Sequence, residues 1–351
     1  MIKQTLFISL GGAGGKLLNE LININSSING IFINSNINEM KKLNNFNLEH
    51  GNYLAINGNG SARNRLKTKE VLQKDKYKIM DFFSDIVENY NTYVIITSMD
   101  GGFGAGAFET VSKVIKSLGN KLGLETNINF VGVCPKLNSR RINLQNTIES
   151  YNDLIELIDQ EIIQSYQFIN NDKMIEEKGF NNEVMTSINN EYTIANEELD
   201  SNDSKLINNA LGYKVILELR EDLDLIESIN NAINTNNFIM PKNVGYATHI
   251  GISIKEDCFN KEDILDKFNI QDFDKSDYNN ENNLIILSGC ESPTYIFEKY
   301  KEYYLKFEEH QSQYTPKIEF KNEHKTKPDV VNKPKTNLTK KDLRDLLDDI
   351  F

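Results

Sequence analysis

Apolar residues along this chain fall into short β-branched runs, separated by longer stretches in which they recur every three or four positions. Thr5–Leu10, Gly30–Asn36, Tyr53–Ile56, Tyr93–Ile96, Ile128–Pro135 and Tyr166–Ile169 are runs of the first kind and predict buried strands. Leu17–Leu21, Val71–Val87, Phe108–Lys116 and Ile142–Ile163 carry the helical spacing. Strand and helix alternate, which predicts an α/β fold: a doubly wound parallel sheet with right-handed crossovers. A long central helix is then expected through Leu199, Leu206, Ile207 and Leu211 to a C-cap at Gly212. Strands over Val244–Ile254 and Asn283–Ser288 and a helix over Pro293–Phe307 predict a smaller α+β second domain. The expected division is a first domain over 1–186, the central helix over 187–212, the second domain over 213–309 and a flexible tail over 310–351.

Two strand-to-helix turns are built from glycine: Gly11-Gly12-Ala13-Gly14-Gly15 and Gly101-Gly102-Phe103-Gly104-Ala105-Gly106. Glycine lets a ligand approach bare N–H groups, and the helix that follows adds unpaired donors and partial positive charge. A turn that needs glycine only for shape is the alternative for the Gly101–Gly106 segment taken alone. The first is not a Walker A loop, because Lys16 precedes Leu17 rather than Ser or Thr. Two such units about ninety residues apart predict one nucleotide held from two sides at the carboxyl edge of the sheet.

Charge and composition narrow the picture. The 351 residues carry a net charge of −12, so the body is not expected to bind nucleic acid unaided. Cys134, Cys258 and Cys290 have no metal spacing, and the four histidines form no cluster. No stretch is long and apolar enough to predict a membrane span, and the chain enters a strand at once, so no signal peptide is expected. A cytoplasmic location in a bacterial host is the expectation.

The first glycine segment is similar to the first phosphate loop of the tubulin/FtsZ superfamily. Asp100-Gly101-Gly102-Phe103-Gly104-Ala105-Gly106 resembles that superfamily's Gly-Gly-Gly-Thr-Gly-[Ser/Thr]-Gly signature, with Asp100 for a small residue and Phe103 for the threonine. These departures, with the chain length, resemble the TubZ branch, the plasmid- and phage-borne tubulin homologues that move DNA. The resemblance implies binding of GTP or GDP with Mg²⁺, with no protein metal ligand assigned. It implies phosphate contacts from both glycine segments and from Gly60, Ser61, Ala62 and Arg63, the turn similar to the γ-phosphate sensing loop. Asn36 stands where the family has an acid after the second strand, and Lys136–Arg141 holds no acid where the family faces one to the ribose. Asn171, in Asn171-Asp172-Lys173-Met174, is placed to read the guanine edge, and Tyr192 to stack on the base with Asn196 one helical turn later. In the family an Asn-x-Asp-x-x-Asp loop after the central helix completes the GTPase site of the next subunit. No such motif is present, and Glu221 with Asp224, or Asp222, is the expected substitute, against an acidic helix start as the alternative.

From Gln311 to Asn337 six lysines face three acids and prolines interrupt the run, which predicts a disordered linker. Leu343, Leu346, Leu347 and Ile350 then line one face of a terminal amphipathic segment. The resemblance implies a head-to-tail GTPase polymer that segregates DNA, with a DNA-binding adaptor captured through this tail and no membrane partner. A division-ring FtsZ and a filament protein without hydrolysis are the alternatives. A dinucleotide oxidoreductase would need an acid at the end of the second strand, where Asn34-Ser35-Asn36 offers none.

Overall fold

In the computed structural model, the residues described are 5–47, 51–58, 60–193, 207, 209–255, 258–270, 275–278 and 282–314. The apolar runs pair into one ten-stranded sheet. Its strands are β1 (Thr5–Leu10), β2 (Asn29–Asn34), β3 (Tyr53–Ala55), β4 (Thr92–Ser98), β5 (Asn127–Cys134), β6 (Ser165–Asn170), β7 (Gly212–Glu218), β9 (His249–Ser253), β11 (Lys275–Tyr278) and β12 (Leu284–Cys290), in the order β11-β9-β12-β7-β6-β5-β4-β1-β2-β3. From β3 to β7 every pairing is parallel, and β12 runs antiparallel to both β7 and β9. A separate two-stranded pair joins β8 (Tyr246–Ala247) to β10 (Asn269–Ile270).

Alternation within the strands builds a core on each face. Leu6, Ile8 and Leu10 of β1 face one core with Tyr93 and Ile95 of β4, while Phe7, Val94 and Ile96 face the other. The first core is covered by α3 (Arg65–Lys74), α4 (Lys76–Ser84), α5 (Phe103–Leu122), α6 (Arg141–Asp159) and α10 (Thr294–Tyr314), and the second by α1 (Gly11–Ile24) and α7 (Glu177–Thr193). The remaining helices are α2 (Ile37–Met40), α8 (Leu225–Thr235) and α9 (Lys261–Leu265). Among the described residues no helix is long and apolar enough to cross a membrane.

The expected helix over 71–87 is two helices that meet at Asp75. Its buried carboxylate accepts the Asn57 backbone N–H at 2.7 Å and the Asn57 side-chain amide at 2.6 Å, so the break anchors the turn ahead of Gly60. The run ending at Gly212 is also corrected. Gly212, at φ 126°, opens β7 rather than capping a helix. Tyr213, Val215 and Leu217 face one core and Ile216 the other, a period of two that forces a strand. The expected strand over 244–254 divides at Thr248, whose hydroxyl donates to the Ser288 carbonyl at 3.1 Å.

α7 runs beside α1 in the same direction. Lys16 pairs with Glu177 at 2.7 Å, Glu20 accepts from Asn182 at 2.9 Å, and Asn25 donates to Asn189 at 3.0 Å. α7 therefore leaves the carboxyl edge of the sheet and travels to the amino edge. The chain returns there, where the Gly212 N–H donates to the Gln164 carbonyl at 2.9 Å just ahead of β6.

Candidate functional site

β1 and β4 are neighbours, and the chain leaves them in opposite directions along the sheet, β1 toward β2 and β4 toward β5. The crevice at the carboxyl ends of such a pair is where open α/β sheets receive ligands. Both glycine segments open into it. Leu10 ahead of α1 and Gly102 ahead of α5 give no side-chain cap, and neither first turn holds an acid. Two helix N-termini thus present free donors and partial positive charge to one cavity.

The glycines divide by role. Gly11 takes φ 75°, which a side chain would strain. A Cβ on Gly14 would strike the Ile96 carbonyl, so Gly14 lets α1 cross β4. A Cβ on Gly104 would lie 2.7 Å from the Leu10 carbonyl oxygen, and one on Gly106 2.9 Å from that of Arg65. One on Gly102 would meet the Arg63 backbone at 2.7 Å, so the signature segment is pressed against all its neighbours. Gly15, Ala105 and Gly106 serve this packing and do not line the cavity.

The turn Gly60-Ser61-Ala62-Arg63 closes the third side. Ala62 and Arg63 both adopt left-handed backbone, φ 47° and 64°, a strained pair for residues with side chains. α6 holds it there. The Asn146 amide donates to the carbonyls of Arg63, Asp100 and Gly101 at 3.0, 3.1 and 3.1 Å. Asn143 accepts from the Arg63 guanidinium and donates to Asp100, which also accepts from Ser98. Asp100 is thus a brace that turns its charge toward α6. Phe103, 6% exposed, packs its ring into the core beneath the segment and still touches the cavity.

The cavity has two lobes that share Gly11, Gly12, Ala13, Asn34 and Glu39. The polar lobe, about 390 Å³, adds Ser35, Asn36, Gly60–Arg63, Ser98, Gly101, Gly102, Phe103 and Gly104. The second, about 550 Å³, is walled by Leu17, Met40, Leu43, Val133, Ile169, Met174 and Phe180, with the amides of Asn171 and Asn181 at its rim. Asn171 is fixed by its neighbours: Asp172 accepts the Leu137 N–H at 3.1 Å, and Lys173 donates to the Asn234 and Asn236 carbonyls at 2.8 and 2.6 Å. Burial lowers the Lys173 pKa. Asn34, Glu39, Phe180 and Asn181 were not singled out in the sequence. An aromatic-amide pair nine and ten residues after Asn171 was the available signal.

Two expectations are corrected. Tyr192 is not at the cavity. It lies 2% exposed beneath the sheet, edge-on to Phe7 with ring centroids 5.3 Å apart, and its hydroxyl accepts from the Asn129 amide at 2.9 Å. Burial pushes its phenol pKa well up. Asn196 lies outside the described residues. Glu221, Asp222 and Asp224 follow β7 and so lie at the carboxyl edge, the same edge as the glycine segments. Each has a local task. Glu221 accepts from Lys255 at 2.5 Å and from Asn283 at 3.2 Å, Asp222 pairs with Arg220 at 2.6 Å, and Asp224 caps α8 by accepting the Glu227 N–H at 2.9 Å. All three thus lie on the edge of the sheet that carries the chain's own glycine segments, not on the opposite edge.

Comparisons with known proteins bear on the fold. No family model matches the chain. The tubulin-like protein TubZ of Clostridium botulinum C phage is 23% identical over 189 residues, 54% of this chain and 51% of that protein, so the match spans about half of the relative's length. The fold matches the tail-truncated TubZ of Clostridium botulinum phage c-st with a TM-score of 0.78 at 18% identity, over 88% of this chain and 99% of that one. It matches the GTPγS-bound protofilament of CetZ2 from Haloferax volcanii with a TM-score of 0.69 at 14% identity, over 88% and 99% of the two chains.

Proposed function

We propose, for this TubZ-like member of the tubulin/FtsZ superfamily, a GTP-dependent filament-forming GTPase. The observation that carries the reading is the two-lobed cavity at the β1/β4 crevice, with two uncapped helix N-termini in one lobe and an apolar, amide-rimmed slot in the other. The slot takes the base, with Phe180 against its face and Asn171 and Asn181 at its edge. The polar lobe takes the phosphates against Gly11, Gly12, Ala13, Gly101, Gly102 and the Gly60–Arg63 turn, with Arg63 as the nearby cation.

Magnesium fits this lobe. The Ser35 hydroxyl is buried with no hydrogen-bond partner among the described residues, and it sits with Asn36 on the cavity wall. Among the described residues no three acids, histidines or cysteines converge, so phosphate oxygens and water would supply most of the coordination. When bound, the ion neutralises charge on the phosphate oxygens, while Arg63 and the helix N-termini hold the chain's own share.

Polymerisation is supported by where exposed apolar side chains fall. Leu66, Ile142, Ile175 and Ile226 are exposed at or just before helix starts on the carboxyl edge, and Leu122 and Leu211 at the amino edge. Stacking edge on edge brings one subunit's nucleotide against the next subunit's amino edge. The acid that completes hydrolysis therefore belongs to the connection between α7 and β7. Glu197, Glu198, Asp200 and Asp203 fall in that connection and outside the described residues. DNA segregation through an adaptor held by residues 310–351 completes the proposal and rests on the resemblance of the sequence. The test is sedimentation and electron microscopy of purified protein with GTP, GDP or ATP. Filaments and phosphate release that need GTP and a threshold protein concentration are expected. Equal response to ATP would overturn the nucleotide assignment.

A further inference from the structure

In a ribonucleotide the sugar joins base to phosphates, so it must occupy the junction between the two lobes. Glu39 is the one carboxylate among the described residues that lines both. Its position is built rather than incidental. Asn36 caps the single turn of α2 by accepting the Asn38 N–H at 3.2 Å, and the Glu39 N–H donates to the Asn36 carbonyl at 3.1 Å. The Asn34 amide then holds Glu39 Oε2 at 3.1 Å. That oxygen lies over the first turn of α1, where a Cβ on Gly12 would come within 2.9 Å of it. No ion pair reaches Glu39 among the described residues, whereas Glu177, the other carboxylate of the apolar lobe, is paired with Lys16 at 2.7 Å. On the far side, Lys136–Arg141 does not line the cavity and contains no acid.

We infer that the Glu39 carboxylate accepts a hydrogen bond from a ribose hydroxyl and makes the site selective for ribonucleotides over deoxyribonucleotides. A carboxylate offers only acceptors, and the sugar hydroxyls are the only neutral donors that a nucleotide brings to this junction. A donor lost against a charged, otherwise satisfied acceptor weakens binding by roughly tenfold to a hundredfold. The inference rests on the nucleotide reading of the cavity and deepens it.

The test measures affinity of the full chain for GDP, 2′-deoxy-GDP and 3′-deoxy-GDP, each with and without magnesium, for wild type, E39Q and E39A. Expected is a preference for GDP of about tenfold or more over at least one deoxy analogue, independent of magnesium. E39A should abolish that preference, and E39Q, which keeps one neutral oxygen, should reduce it. Thermal unfolding of each variant reports whether the fold survives, and E39Q, the same size as the native residue, carries the test should E39A not fold. Equal wild-type affinity for all three ligands overturns the inference and leaves the nucleotide reading standing. So does an equal loss of all three affinities in both variants, or an effect seen only with magnesium, because the carboxylate would then serve the phosphates or their cation. Failure of the wild type to bind any of the three overturns both.

Discussion

The first glycine crevice and the junction beneath α7 lie on the same sheet, yet one is legible in the sequence and the other is not. At the crevice, residue type follows from space. Gly14, Gly104 and Gly106 stand where a carbonyl or side chain approaches too closely for a Cβ, so the motif is a record of local steric contacts. At the junction, residue type follows from what another element supplies. Glu191 of α7 and Lys214 of β7 pair at 2.6 Å, each 1% exposed, and Gln167 of β6 donates to Glu191 at 3.0 Å. Lys214 also sits 5.6 Å from the centre of the Tyr192 ring. Nothing local marks these three as partners, since Lys214 and Gln167 lie 23 and 24 residues from Glu191 along the chain. The lesson is that glycine reports its own surroundings, whereas a buried charge reports a fold already formed.

Breaking the junction should have the largest effect. Removing one member of a buried ion pair leaves the other charge stranded, at about 3–5 kcal/mol. Glu191→Ala and Lys214→Ala are each expected to lower stability by that amount in urea unfolding. A double change to leucine and methionine should recover most of it. Single variants as stable as wild type would show that the pair does not hold α7 against the sheet.

The same contrast explains what the sequence left unread. Periodicity found β1, β2, β4, β5 and β6, because parallel strands buried on both faces are continuous apolar runs. It missed β7 because the buried Lys214 interrupts the apolar run Tyr213–Leu217, and its partner Glu191 lies on another element. Asn171 is read from the resemblance of its Asn-Asp-Lys-Met run, whereas Tyr192 is read from its helical spacing to Asn196. Only the direction of α7 decides that Tyr192 ends near the start of β5, beside Asn129, far from the carboxyl edge. Asp100 departs from the family signature in a way that engages α6: its carboxylate accepts from Asn143 as well as from Ser98, and its backbone carbonyl accepts from Asn146.

Two glycines sharpen the crevice side of the comparison. Gly104→Ala forces a Cβ against the Leu10 carbonyl and the Thr97 hydroxyl, an overpacking expected to cost about 1–3 kcal/mol and to weaken nucleotide binding with it. Gly60→Ala meets no atom within 4 Å, but Gly60 holds φ 85°, so only backbone strain of about 1 kcal/mol is expected. Melting temperature and nucleotide affinity measured together separate the two. Equal losses would mean that close approach is not what Gly104 provides.

A pair of variants of about 1 kcal/mol each should divide cleanly between fold and ligand. Tyr192→Phe removes the acceptor of the buried Asn129 amide, so stability falls and nucleotide affinity holds. Asn171→Ala removes a rim amide of the apolar lobe, so affinity falls and stability holds. Isothermal titration with GDP and a denaturation curve on both variants check this. A Tyr192→Phe protein with weakened GDP binding would return the tyrosine to the ligand.

The smallest effects are expected from the acids after β7. Asp224→Ala loses an N-cap and about 1 kcal/mol of stability, with GTP hydrolysis per subunit unchanged in the filament. Asp222→Ala should change neither, because its partner Arg220 is as exposed as it is and solvent screens the pair. The hydrogen bond from Arg220 holds the Asp222 carboxyl below its ordinary value of 3.8. Whatever the pair contributes is therefore complete above that value and fades only as pH falls through the lower folded one, well outside the range of any hydrolysis assay. Changing Asp200 or Asp203 to alanine, by contrast, should stop hydrolysis while filaments persist, because the chain leaves α7 and enters β7 at the amino edge, the edge that the proposed stacking would set against a neighbour's nucleotide. Phosphate release at saturating protein concentration decides it. Loss of hydrolysis in Asp222→Ala with normal turnover in Asp200→Ala and Asp203→Ala would mean that subunits do not stack carboxyl edge on amino edge.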